Sequence, residues 1–157
     1  MILKRVFIFL LLITGLGTHV THSQMNIDSL ERALRNSVID SVQFEILISL
    51  SREYQYRDFS KADKYSTQAA ELVEKNRWDW AKPKLLSQQA FLASLSGDYT
   101  SAIRYDNENL NLVIEAGDSS AIAEGLNFLG NDYMEIGKFD EAYYYFTQSH
   151  RVARAID

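Results

Sequence analysis

A shift of 40 residues lays the chain over itself, and that period restricts the fold more tightly than anything else in the sequence. At this offset Phe59, Tyr99 and Phe139 share a column. So do Ala62, Ala102 and Ala142, then Tyr65, Tyr105 and Tyr145, then Ser60, Thr100 and Asp140. Ile46, Leu86 and Leu126 align upstream, and Leu72, Leu112 and Val152 downstream. Three of the 9 tyrosines in one column, beside an invariant alanine column, mark a true repeat. A fixed period of this size means a stacked array of small units, none of which can bury its apolar face alone.

The columns read as helix, tight turn, helix. Ser60, Thr100 and Asp140 are N-cap types that can accept from an orphan amide at a helix start. The preceding aromatics can fold back onto the first turn. An alanine two residues on lets the second helix of each pair lie close to the first, and the tyrosines three residues further share its face. Gly97 and Gly137 end the preceding helices, where a left-handed residue is needed; Arg57 holds that place in the first unit, so its turn must be built differently. The expected pairs are 41–56 with 60–76, 80–96 with 100–116, and 120–136 with 140–155. Pro83 then falls in a first turn, where its missing amide is harmless. "GDSS" at 117–120 reads as a loop between units. Asp28 and Glu31 stand in capping-box spacing and predict a short leading helix over 28–36. The expected fold is therefore an all-α, right-handed solenoid of three helix-turn-helix repeats behind a leading helix. Residues 24–39 supply the leading helix and linker, and residues 40–157 the array, with units at 40–78, 79–118 and 119–157.

The third unit resembles the tetratricopeptide repeats. Leu126, Leu129, Gly130, Tyr133, Gly137, Phe139, Ala142 and Phe146 stand where that family places its large, small and aromatic residues. The second unit departs from it, with Ala90 for Gly130, Ala93 for Tyr133 and Asp106 for Phe146; the first departs further, with Leu50 and Glu53. The family period is about 34 residues, so helices or loops are longer here. Long-period arrays behind a signal peptide resemble the sensory regions of bacterial two-component kinases and regulators. The resemblance implies a scaffold that binds protein or peptide, from the N-terminal part of a longer signalling protein. A stand-alone periplasmic or surface adaptor for complex assembly is the alternative.

The first 23 residues differ from the rest. Lys4 and Arg5 precede an apolar run from Val6 to about Gly17, and short polar residues follow. This is the layout of a secretory signal, with cleavage expected after Ser23; a retained N-terminal anchor is the alternative. Export to the periplasm or another extracytoplasmic space follows, with membrane contact only through an uncleaved signal or a segment beyond Asp157. The chain has no cysteine, so the domain must stand on packing without disulfides.

The formal charge is −5, and loss of Lys4 and Arg5 makes it more negative. Nucleic-acid binding, which needs a basic surface, is thereby disfavoured. Removal of the signal leaves His150 as the one histidine, lying mid-helix without an acidic or metal partner in the sequence. No nucleophile constellation, phosphate loop or metal spacing occurs, so neither enzyme chemistry nor a cofactor or metal is expected. Asp106, Glu108 and Glu115, among Asn107, Asn109 and Asn111, read as a solvated helix face. The run Tyr143, Tyr144 and Tyr145 reads as packing more than as a ligand platform, since aromatics at helical spacing usually bury area.

The first helices of such pairs line a concave face. On the third unit Glu124, Asn127, Asn131 and Glu135 share a stripe. On the second the stripe is Lys84, Ser87, Phe91 and Leu95, and on the first Phe44, Leu47, Ser51 and Tyr54. The resemblance implies that Asn131, following Gly130, holds a ligand backbone. The candidate peptide-binding set is Asn127, Asn131, Glu124, Glu135, Phe91, Leu95 and Tyr54. The alternative is a solvated face, its apolar part covered by the leading helix. The structural set is Ala62, Ala102, Ala142, Tyr65, Tyr105, Tyr145, Gly97, Gly130 and Gly137. Self-association through the last helix is expected, because Tyr143 and Val152 have no following unit to cover them.

Overall fold

The structure is a computed structural model that describes residues 26–156. The expected signal segment at 1–23 lies outside the described residues. Helix α1 covers residues 26–36. Six long helices follow as three pairs: α2 (Asp40–Tyr54) with α3 (Phe59–Asn76), α4 (Lys82–Ser96) with α5 (Tyr99–Ala116), and α6 (Ser119–Glu135) with α7 (Phe139–Ile156). A 3-10 turn at Asp79–Ala81 leads into α4, whose first turn carries Pro83. Each helix packs mainly on its neighbours in sequence. The fold is an all-α solenoid, as the period predicts.

The alanine column explains the close pairing within units. Ala62 and Ala102 are fully buried and Ala142 nearly so. Gly97, Gly117 and Gly137 have φ of 81°, 70° and 75°, the left-handed conformation that closes α4, α5 and the α6–α7 turn. Arg77 stands one period before Gly117 and adopts the same region, at φ 55°. At Arg57 the turn uses no positive φ; Arg57 and Asp58 donate their amides to the Tyr54 carbonyl instead.

In the first two units the caps of the second helices fall two residues before the expected positions: Asp58 and Asp98 accept from the amides of Lys61 and Ser101, and Asp118 caps α6 in the same way, accepting from Ala121. Ser60, Thr100 and Asp140 lie inside their helices, whose first residues are the column aromatics themselves. Phe59 and Phe139 are consequently exposed and do not fold back. The Asp58 and Asp98 match was visible in the sequence; aspartate accepts as well as serine at a cap, and the helices start earlier than the hydroxyl column suggests. The linker at 117–120 is likewise shorter, since Ser119 already belongs to α6.

Tyr65, Tyr105 and Tyr145 are half-buried rather than core. Tyr145 stacks on Tyr133 with ring centroids 5.2 Å apart, and Tyr144 meets Tyr145 edge-on. Tyr143 and Tyr144 are exposed. One residue beyond each tyrosine the chain is more deeply placed in the first two units, with Ser66 and Asp106 buried, and half-buried at Phe146 in the third. Opposite Phe146 stands Gly130, where a Cβ would come within 2.6 Å of the ring. At the equivalent pairs Ala90 accompanies Asp106, and Leu50 accompanies Ser66. The larger member thus switches helices along the array.

Helix α1 covers the first unit. Ile27 is buried in one cluster with Leu50, Tyr54, Ala62 and Leu92, and Leu30 and Leu34 pack beside it. Glu31 accepts from the hydroxyls of both Tyr54 (2.9 Å) and Tyr65 (3.3 Å). On the other side of α2, Phe44 meets Trp78 and Trp80 edge-on. The second and third units meet through Leu110 and Val113 of α5 against Leu126 and Leu129 of α6. No helix of the described residues is long and apolar enough to cross a membrane.

Candidate binding groove

A cavity of about 660 Å³ opens along the first helices of the three units. Helix α2 contributes Arg52 and, just beyond its end, Gln55 and Tyr56. Helix α4 contributes Ser87, Gln88, Ala90, Phe91, Ser94 and Leu95. Glu124, Phe128, Asn131, Asp132 and Glu135 come from α6, and Tyr99 and Asp106 from α5. Three- and four-residue spacing within α4 and α6 puts these side chains on one face of each helix.

The expected stripe is met in part. Phe91, Leu95, Glu124, Asn131 and Glu135 line the cavity together. Asn127 stands at its edge, accepting from the Asn131 amide at 3.2 Å, and is exposed but outside the lining. On the first unit the expected stripe is turned inward: Phe44, Leu47, Ser51 and Tyr54 are all buried. Tyr54 is stacked on Tyr65 and bonded to Glu31, away from the groove. The repeat register itself corrects this placement, because Gln55, not Tyr54, stands one period before Leu95 and two before Glu135. Gln55 and Tyr56 replace it in the wall, with Tyr56 edge-on to Phe91 at 5.9 Å.

Polar contacts between first helices set the shape of the groove. Gln88 donates to Ser51 Oγ at 3.0 Å, and Ser51 donates to the Ala62 carbonyl at 2.9 Å. Arg52 reaches Gln88 Oε1 at 3.4 Å. Lys84 is paired with Glu45 across the same interface. Further along, Ser94 of α4 donates to Asp132 Oδ1 of α6. Tyr99 donates to Glu135 at 3.4 Å. The wall therefore runs from Arg52 at the first-unit end to Glu124, Asp132 and Glu135 on the third unit.

Asp106 overturns the expectation of a solvated face. It is 3% exposed, while Glu108, Asn111 and Glu115 on the same helix are exposed. Asp132 is 4% exposed and lies within hydrogen-bonding reach of it. Burial, and then the neighbouring Asp132 charge, push the Asp106 carboxyl up to about 7. Asp132 is raised as well, chiefly by burial, with the bond from Ser94 acting the other way. The signal for this site was the substitution of Asp106 into the column that holds Phe146. Asp132 carried none, since its column reads Arg52, Leu92, Asp132.

No family model matches the chain, and no curated protein matches it significantly. Among solved structures, it is similar to a signal transduction ATPase with numerous domains, a protein with a tetratricopeptide repeat sensor from Pyrococcus horikoshii. The TM-score is 0.78 at 20% identity, over 85% of this chain and 21% of that one. The chain thus spans about a fifth of that protein's length. In fold, the array is a tetratricopeptide-like helical repeat.

Proposed function

We propose that the protein is an interaction scaffold that takes an extended segment of another protein into the groove between its first helices. The observation that carries this reading is the single cavity wall built from all three units. It combines apolar patches (Phe91, Leu95, Phe128) with amide and carboxyl groups at helical spacing. Apolar pockets read alternate side chains of an extended chain, and Asn131 can pair with its backbone. Three units offer a short groove, so binding is weak and adaptable. The binding segment is best placed in an exported sensory region of a longer signalling protein. The leader-like N-terminus supports export, and the sensor named for the structural neighbour supports the sensory role.

The test is selection from a degenerate library of acetylated decapeptides, followed by affinity measurement on the full chain. Enriched peptides should bind wild type and lose about 0.5–1.5 kcal/mol with Asn131→Ala, the worth of one neutral hydrogen bond. Phe91→Ala should lose at least as much. Selected peptides that bind both variants as well as wild type would move the binding face elsewhere.

A further inference from the structure

Burying two carboxyls side by side works against the fold, since each loses water and each repels the other's charge. Packing does not require it: Phe146 fills the place of Asp106 in the third unit with a ring. Asp132 Oδ1 is held by Ser94, whereas Oδ2 is buried and receives no hydrogen bond from any amide or hydroxyl of the described residues. Both carboxyls line the cavity. Glu135 adds negative charge on the same helix, and Arg52, the basic residue of the lining, is engaged with Gln88 at the far end. The acidic end of the groove therefore holds a carboxylate oxygen with no amide or hydroxyl donor and only the other acid as neighbour, and surplus negative charge with no cation beside it in the lining.

We propose that Asp132, backed by Asp106 and Ser94, seats a cationic anchor, the lysine or arginine side chain of the bound segment. This rests on the groove being the binding face. The aliphatic stem of such a side chain can lie along Phe91, Leu95 and Phe128, and its head can approach the Asp132 carboxylate where that residue lines the cavity. No group of three or more acidic or histidine residues suited to a metal forms among the described residues, which favours an organic cation with its own donors. A cation also relieves the repulsion within the pair, so occupancy stabilises the contact between the second and third units. Protonation of Asp106, which sets in near pH 7, removes one negative charge from the pair, so attraction for the anchor rises with pH through that range.

The test uses the full chain and three pools of acetylated, amidated decapeptides. One position is fixed as lysine, as norleucine (its neutral counterpart) or as glutamate, and the others are degenerate. At pH 8 the lysine pool should bind at least tenfold more tightly than the norleucine pool. At pH 6 that preference should shrink by threefold or more. Asp132→Asn and Asp106→Asn should each reduce the lysine preference at pH 8 by threefold or more. Asp140→Asn, an exposed change on α7, should leave the preference intact, separating a local anchor from net charge. Equal binding of lysine and norleucine pools overturns the anchor and leaves the groove reading standing. A preference that survives Asp132→Asn overturns it as well. If no pool binds, the groove reading fails and the anchor with it.

Discussion

Asp106 shows how one residue can be misread when only its helix is considered. Its polar neighbours suggest solvent, but its place in the repeat is a buried one, and the column decides. The consequence is a pH-dependent fold. The unfolded carboxyl titrates near 3.8 and the folded one near 7. Between those values the unfolded chain has already released its proton, so stability falls as pH rises and is fully present only below the unfolded value. Every tenfold difference in proton affinity between the two states is worth about 1.36 kcal/mol. Relaxation and water entry reduce the effect, and Asp106→Asn is expected to gain about 1–3 kcal/mol at pH 8. Near pH 4 the variant and wild type should differ little. Urea unfolding across this range checks it; a wild-type stability that is flat from pH 4 to 8 would contradict the burial of an acid pair. Gly130 makes the converse case. A methyl group there meets the Phe146 ring at 2.6 Å, and Gly130→Ala should cost about 1–3 kcal/mol through overpacking. Adding Phe146→Leu should recover part of the loss, because the obstacle is the ring and not the backbone.

At the scale of elements, the repeat made the helices legible and the caps misleading. Helix pairs, the early Pro83 and the leading helix all follow from spacing and end signals, and each lies within a few residues of its expected place. The cap column failed because three hydroxyl or acid residues in register also fit the first turn, whereas the true caps, Asp58 and Asp98, had no aspartate in the third unit to complete their column. The groove was legible on the second and third units, where Phe91, Leu95, Asn131 and Glu135 kept register. On the first unit, the leading helix and the tryptophans of the 78–81 link claim the stripe for the core, and no pattern within α2 reveals that. The register also pairs Arg77 with Gly117, both left-handed. A side chain in that conformation costs about 1–2 kcal/mol, offset in part by the greater freedom glycine has when unfolded. Arg77→Gly should therefore stabilise by up to about 1 kcal/mol, and Gly117→Arg should destabilise. Thermal or urea unfolding showing the opposite order would mean that the Arg77 side chain contributes more than its backbone strain costs.

At the scale of the molecule, three short units act as one surface. Each supplies a strip of the wall, and the polar links between first helices fix the strips relative to one another. Ser51–Gln88 joins the first unit to the second, and Ser94–Asp132 joins the second to the third. The leading helix seals the first unit, with Ile27 buried and Glu31 receiving two tyrosine hydroxyls, so that unit's core is complete without the apolar groups of the groove, as the proposed binding face requires. The measurement that bears most directly on this is amide shift mapping by NMR on the full chain, titrated with a library-selected decapeptide. Perturbed amides should cluster at 87–95 and 124–135, with smaller changes at 52–56. Perturbations confined to the outer faces of α3, α5 or α7, with the first helices unmoved, would contradict the account.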